Sequence, residues 1–433
     1  MTRARETAIG VIHRLRDAGH VAWLAGGCVR DELLGRRPTD YDVATDARPE
    51  RVRSLFRRTN EVGAAFGVVL VRESGVTIEV TTFRREGAYS DTRRPDEIEY
   101  ADAESDARRR DFTINALFLD PLAEPGPFEQ ERSVAGRVID YVGGVDDLDR
   151  RLIRAVGDPE ARLAEDHLRA LRAARFAARL GFAIDDGAAD AIRRHAQSLT
   201  GVSRERIGDE IRRMLTDPTR AAAAHLIEAL GLDAPALTEP AMGPRTAHDP
   251  LLLASLPAES DYPLALAAWS LERTVRSLRP AVADPAHPDI AEALARIPAR
   301  WRRALCLAND AHGALARTLH ILIAQAQEWP RLGVAGRKKL AADPRFEGAL
   351  RLFEACQPDR ARALADDVER LRGDGVGLAP DPYLSGDALI ALGFVPGPAL
   401  GAALGDLYDR QLAGDLVSVD DARRAAEQLL QGR

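Results

Sequence analysis

Apolar residues recur at helical spacing from Thr2 to Ala18 and the pattern stops at Gly19, which predicts an amphipathic helix closed by a glycine. A strand-like run, Val21 to Leu24, follows; it ends at Gly26 and Gly27 and leads into a short helix over about Val29 to Leu34. Arg48 to Arg58 begins with Pro49 and reads as a helix that packs Val52, Leu55 and Phe56 inward. Two β-branched runs, Val68 to Arg72 and Val76 to Thr82, flank Glu73-Ser74-Gly75 and predict a hairpin. In its second strand Val76, Ile78 and Val80 share one face, so Thr77, Glu79 and Thr81 occupy the other. From Leu148 onward the period is helical to the end, with breaks around residues 231–262, 278–288 and 372–383. The change of period predicts an α+β N-terminal head, a mixed sheet with helices, followed by an all-α remainder.

Two stretches break the pattern. Arg84 to Arg110 is polar enough for a mobile surface loop, and Leu122 to Arg137, rich in Pro, Glu and Gly, reads as a surface insertion without an assigned role. With 433 residues, 45% apolar and 29% charged, the chain is long enough for several globular domains. No run of eighteen apolar residues exists and the N-terminus has no continuous hydrophobic segment, so neither a membrane anchor nor a signal peptide is expected, and the cytoplasm is the expected compartment. Cys28, Cys306 and Cys356 are odd in number and scattered, against both a disulfide framework and a metal knuckle. The net charge of −7 argues against a nucleic-acid partner until its distribution is considered. Lysine occurs only at Lys338 and Lys339, so cationic chemistry rests on arginine, and any RNA-binding face must be local.

The chemistry concentrates between Ala25 and Thr45, AGGCVRDELLGRRPTDYDVAT. Gly26 and Gly27 let the backbone approach a phosphate closely, and the helix start that follows offers N–H groups to an anion. Arg30 in that first turn has a fork that suits the same triphosphate. Asp40 and Asp42, two apart at the start of a second strand, point to one side and suit a divalent cation. A Gly-Gly turn or an Asp-x-Asp strand end is ordinary alone. Joined in this order, they are what nucleotidyl transfer needs, because metal ions must bridge the attacking oxygen and the triphosphate.

This stretch resembles the signature of the DNA polymerase beta superfamily, and within it the class II bacterial tRNA nucleotidyltransferase and poly(A) polymerase family. The resemblance implies a polymerase beta-like head, Mg2+ at Asp40 and Asp42, and Glu79, just before Thr-Thr-Phe-Arg, as the third catalytic carboxylate. By itself Glu79 is equally a solvent-facing strand residue. Arg109 to Leu117, RRDFTINAL, resembles the family's second signature. There Arg110 would join Gly26, Gly27 and Arg30 on the triphosphate, and Asp111 and Asn115 would sense the ribose; Asp111 as a helix cap is the structural alternative. The family carries a flexible loop that helps switch from adding C to adding A, and Tyr89 to Pro95 fits its pattern.

Farther on, Asp166, Arg169, Arg172 and Arg175 are three apart, a row winding slowly round a helix anchored by Leu168, Leu171 and Phe176. Such a row also describes a salt-bridged exposed helix. A carboxylate that accepts from an amino group beside a guanidinium that donates to a ring nitrogen would accept cytosine and adenine and reject uracil and guanine. In the family this is the work of the EDxxR motif, whose positions Asp166 and Arg169 fill; Arg172 and Arg175 would back the nucleotide. Val202 to Glu210 resembles the segment that follows it in CCA-adding enzymes, with Ser203 a candidate N-cap and Arg206 with Glu210 an i,i+4 pair.

Leu384 to Asp387 and Leu392 to Pro398 resemble the family's tail segment or, equally, a helix–helix turn. Arg300, Arg302, Arg303, Arg337, Lys338 and Lys339 are candidate phosphate contacts. His248-Asp249 lacks the further ligands of a metal phosphohydrolase. The expected layout is a catalytic head over residues 1–148, a base-recognising neck over 149–217, a body over 218–330 and a tRNA-binding tail over 331–433. The expected reaction adds CMP and AMP from CTP and ATP to a tRNA 3′ end. Addition of A only, of CC only, or of poly(A) are the rivals, with an inactive RNA-binding protein as the alternative of another class. No protein partner is inferred.

Overall fold

In a computed structural model, which describes residues 2–61, 67–86, 98–246, 249–279 and 283–431, the chain divides into two units. Unit 1 is Met1–Ile211 with His225–Ala241, and unit 2 is Arg212–Ala224 with Met242–Arg433.

Unit 1 is built on a seven-stranded sheet. Its strands are β1 (Ala22–Ala25), β2 (Asp42–Thr45), β3 (Thr59–Glu61), β4 (Val68–Glu73), β5 (Val76–Thr82), β8 (Phe118–Asp120) and β9 (Arg137–Ile139), in the order β3-β4-β5-β2-β1-β8-β9. A separate ribbon pairs β6 (Arg84–Glu86) with β7 (Ile98–Tyr100). Only β2 and β5 run parallel within the large sheet, which makes it mixed. The hairpin forms as its alternation predicts: Ile78 and Val80 are buried opposite Val71 and Val69, and Thr77 and Glu79 face outward. Helix α1 (Arg3–Asp17), capped by the Thr2 hydroxyl, lays Ala8, Val11, Ile12 and Leu15 on β1, β2 and β5. Each of its larger apolar residues contributes roughly 1.5–3 kcal/mol by leaving water. Near the other end of β1, Trp23, Phe83 and Phe118 meet with ring centroids 5.8–5.9 Å apart.

Three expectations are corrected in unit 1. The polar stretch from Arg84 to Arg110 is not a plain loop where it is described, for it carries the β6–β7 ribbon and the helix Ala103–Arg108. Residues 122–137 are not a plain loop, for Pro127–Glu131 forms a short helix with Glu129 buried. Its carboxylate accepts from the Gly126 and Val138 N–H groups, each at 2.9 Å, and so ties the segment to β9. A buried carboxylate that satisfies two backbone donors stabilises a structure composition cannot announce. Beyond Leu148 the chain is not wholly helical, because Leu152–Ile153 and Ala183–Ile184 pair as a small parallel ladder. That ladder brackets helices α7 (Pro159–Glu165) and α8 (Leu168–Leu180); α9 (Asp186–His195) and α10 (Arg204–Leu215) follow.

Unit 2 is helical apart from its turns. Tyr262–Leu278 and Pro288–Ala304 bury Trp269 against Trp301 at 5.5 Å between centroids, and Asn309–Gln327 packs on both helices. Toward the C-terminus Leu389, Phe394, Leu407 and Ala426 form a second cluster. Ser385 caps Gly386–Ala391, and Gly393 (φ +108°) and Gly397 (φ +149°) make the turn into Pro398–Ala413. Several candidate phosphate contacts are occupied within the unit. Arg337 donates to Asp367 and the Trp329 carbonyl, Lys338 is buried on the Asp374 carbonyl, and Lys339 pairs with Asp409. Among the described residues no helix is long and apolar enough to cross a membrane. His248 and Tyr89 to Pro95 lie outside the described residues.

Candidate active site

Strand β1 ends where the Gly26 N–H bonds the Leu117 carbonyl at 2.9 Å, and α2 (Gly27–Leu33) starts at once. Gly26 has φ +74°, which favours glycine, and a Cβ there would lie 2.9 Å from Arg110 Nη1, so a side chain would displace that guanidinium. A Cβ on Gly27 would meet only Arg30 Nη2, at 3.7 Å. The link from α2 to β2 is held by Glu32, which accepts from Arg5 Nε (2.7 Å) and from the Tyr41 hydroxyl (2.9 Å). Tyr41 is thereby fixed between Asp40 and Asp42.

Asp42 opens β2 with Ala25 of β1 on one side and Glu79 of β5 in register on the other, while Asp40 lies just before the strand. Burial, then the charges of Glu79 and Asp40, push the Asp42 carboxyl up to about 7, with Arg110 opposing. Glu79 is raised by partial withdrawal from water and by Asp40, with Arg84 opposing. Three mutually repelling carboxylates form a donor set of hard oxygens, which suits magnesium rather than a softer ion. Among the described residues no three His, Cys, Asp or Glu side chains close into a metal cage. Magnesium does not need one, since it is commonly held by one or two carboxylates with substrate phosphates and water. Cys28 is no ligand: its buried thiol is pushed up to about 12 and faces the Ala25 carbonyl.

Arg110 is the guanidinium beside Asp42. It is aimed by Asp106 (3.0 and 3.2 Å) and by the Asn115 carbonyl (3.0 Å). Burial disfavours the charge on Asp106, yet Arg110 and Arg109 outweigh it and hold the carboxyl below its usual range. Asp106 escaped the sequence analysis, although an acid three and four residues before two arginines was a visible signal.

Arg30, expected on the triphosphate, is only 3% exposed. It donates to Asn115 Oδ1 (2.6 Å) and Asp31 Oδ1 (2.8 Å) and lies over the Phe176 ring at 5.3 Å. Asn115 in turn donates to Asp111 (3.2 Å), and Asp111 accepts from Arg172 Nε at 2.7 Å. Asp111 does not cap a helix; among the described residues its backbone donor is the adjacent Phe112 N–H, and the helix that follows is the single 3-10 turn Thr113–Asn115. Burial raises its carboxyl, but the Arg172 pair prevails and holds it low. Arg30, Asn115, Asp111 and Arg172 therefore form a hydrogen-bonded chain that ties α2 to α8, buried at Arg30 and Asn115 and partly exposed at Arg172.

Asp166 is not on the same helix as the arginines. It sits in the break between α7 and α8, where it accepts from the Leu168 N–H (3.1 Å) and from Arg206 Nη2 (2.6 Å). Arg169 donates to Glu165 (2.5 Å) and to the Arg162 carbonyl (2.9 Å). Arg175 donates to Glu210 at 2.6 Å. The expected Arg206–Glu210 pair is thus replaced by two longer-range pairs, from α10 to Asp166 and to α8. Leu168, Leu171 and Phe176 are buried as anticipated. Glu165, Arg206 and Glu210 are further contributors that spacing alone did not assign.

Residues 22–154 match the family model described as the poly A polymerase head domain. That match covers the head. Residues 181–241 match a second model, described as the probable RNA- and SrmB-binding site of polymerase A. The CCA-adding enzyme of Bacillus pumilus is 42% identical over 209 residues, 48% of this chain and 49% of that protein. That of Geobacillus stearothermophilus is 40% identical over 230 residues, 53% and 54% of the two. The chain thus spans about half the length of the curated relatives it matches. The likeness in fold extends farther. The crystal structure of the Bacillus stearothermophilus CCA-adding enzyme in complex with CTP aligns with 100% of this chain and 99% of that one, at TM-score 0.72 and 26% identity.

Proposed function

We propose that the chain is a CCA-adding tRNA nucleotidyltransferase, which transfers CMP and AMP from CTP and ATP to the 3′ end of tRNA and releases pyrophosphate. The observation that carries this reading is the register of Asp42 beside Glu79, with Asp40 and Arg110 adjoining, on a head whose relatives are named CCA-adding enzymes. Asp40 and Asp42 would hold magnesium; when bound, that ion neutralises charge on the triphosphate. Gly26 admits the phosphates to the start of α2, and Arg110 faces them. Glu79, with its raised affinity for protons, takes the proton of the attacking 3′-hydroxyl. Asp166 accepts from the amino group of the base and Arg169 donates to the ring nitrogen, exchanging part of its bond with Glu165. Arg30, Asp111, Asn115, Arg172 and Arg175 act through these groups by holding α2, α8 and α10 in place. Its substrates put the enzyme in the cytoplasm.

The test is primer extension on tRNA transcripts ending before CCA, after C and after CC, with CTP, ATP or both and magnesium. Ordered addition of three nucleotides followed by a stop is the expected result. Addition of A alone, of two Cs alone, or of a long A tail would replace the reading with the corresponding specificity. No addition to any primer would make the chain an RNA-binding protein on this fold.

A further inference from the structure

Four arginines converge outside the site just described. Arg14 of α1, Arg57 and Arg58 after α3 (Pro49–Leu55), and Arg72 of β4 line a surface cavity of about 560 Å³ with Leu55 and Glu73. Its walls are the ends of α1, α3 and β4, with Arg57 and Arg58 in the bend that leads to β3. Arg14 pairs with Glu73 at 2.8 Å and lies over the Phe56 ring at 5.0 Å, and the Arg72 N–H bonds the Arg58 carbonyl at 2.9 Å. Glu73 answers Arg14, and among the described residues Arg57, Arg58 and Arg72 have no carboxylate partner. Three uncompensated positive charges in one concavity stand out in a chain of net charge −7.

The sheet register relates this cavity to the catalytic carboxylates. Arg72 opposes Thr77, and Leu70 opposes Glu79, so Arg72 and Glu79 lie on one face of the sheet, a two-residue step of about 7 Å apart along the strand. Arg58, across from Arg72 on the neighbouring strand edge, continues the row away from Glu79. Glu73 opposes Val76 and so lies with Arg14 on the face that α1 covers, and the cavity wraps round this end of the sheet. On the Glu79 side, Arg58 and Arg72 would follow a phosphate backbone whose 3′ end lies at Glu79.

We propose that this cavity is an RNA-backbone docking surface of the head, taking phosphates of the strand being extended. This rests on the RNA-extending reading above. Arginine forks suit phosphate oxygens, and a solvent-open concavity with no apolar floor beyond Leu55 suits a backbone better than a base.

The experiment compares the intact protein with an Arg57→Gln/Arg58→Gln/Arg72→Gln variant, leaving Arg14 to hold Glu73 and Phe56. Binding to fluorescent tRNA is measured across a salt series, with the KM for CTP and the thermal midpoint alongside. The expected result is RNA affinity weakened about tenfold or more at low salt and a log K against log [salt] slope shallower by about two to three, since each lost phosphate contact removes 0.7–0.9. The KM for CTP and the melting midpoint should stay in place. Equal affinity and slope in the two proteins would overturn the inference. A rise in the KM for CTP with RNA binding unmoved would also overturn it, assigning the cavity to free triphosphate. Failure of the intact protein to extend any primer, with the difference in salt slope preserved, would remove the enzymatic reading and keep the RNA surface.

Discussion

Gly26 and Gly27 look alike in sequence, but only one is constrained by what surrounds it. A methyl at Gly26 must adopt a left-handed backbone and meet the Arg110 guanidinium, whereas at Gly27 it finds ordinary contact. Gly26→Ala is therefore expected to raise the KM for nucleotide and lower turnover by about tenfold or more, because displacing a positioned group by even 1 Å is costly. Gly27→Ala should retain most activity unless the phosphates come closer to that Cα than the protein does; steady-state kinetics on a tRNA primer separates the two. Arg30 is the converse case. Its burial against Asp31 and Asn115 makes Arg30→Ala chiefly a folding lesion, expected to cost about 3–5 kcal/mol because it strands a buried carboxylate, and urea denaturation reads that loss. An intact urea midpoint with lost activity would instead return Arg30 to the triphosphate.

At the level of elements, α4 (Ala103–Arg108), the turn after it and α8 are joined by carboxylates whose partners lie in other elements. Asp106 and Asp111 are both held below the usual carboxylate pKa by arginines. For a depressed carboxylate the stabilisation is fully present above the unfolded value, about 3.9, and is lost as pH falls through the folded one. These two groups should thus leave the urea midpoint unaffected between pH 7 and 5 and lower it steeply below pH 4. Asp106→Asn, less stable at pH 7, should lose part of that acid sensitivity. Element patterns were largely legible in advance. The β4–β5 hairpin, α1 and the Gly26 turn each rest on a short-range period or on turn chemistry. Partner choice was not. Asp166 pairs with Arg206 and Glu210 with Arg175 across forty and thirty-five positions, while the i,i+4 pair inferred from spacing does not form.

On the scale of the molecule, each unit has its own apolar interior: α1 against the sheet in unit 1, and the Trp269–Trp301 pair and the C-terminal cluster in unit 2. Separate cores weaken the case for one cooperative transition. Calorimetry is expected to give a calorimetric enthalpy above the van't Hoff value. CTP with magnesium should shift the component belonging to unit 1 by about 2.7 kcal/mol at a hundredfold excess over Kd. A single two-state peak that moves as a whole would mean the units unfold together.

What the sequence by itself determined is the scaffold and the candidate residues on it. Period-two alternation put Glu79 outward, the Asp40–Asp42 spacing marked the acids, and Gly26 marked a turn from strand to helix; all are local properties that survive without knowledge of packing. Only the tertiary structure decided which charges are available. It buried Arg30 and tied it through Asn115 to Asp111 in a brace, placed Asp166 in a break between helices, turned residues 127–131 into a helix around Glu129, and left Arg57, Arg58 and Arg72 open in a cavity. The physical reason is that a buried charge must find a partner wherever the fold brings one: Asp106 finds Arg109 and Arg110 at helical spacing, but Asp111 with Arg172 and Glu210 with Arg175 meet only in three dimensions.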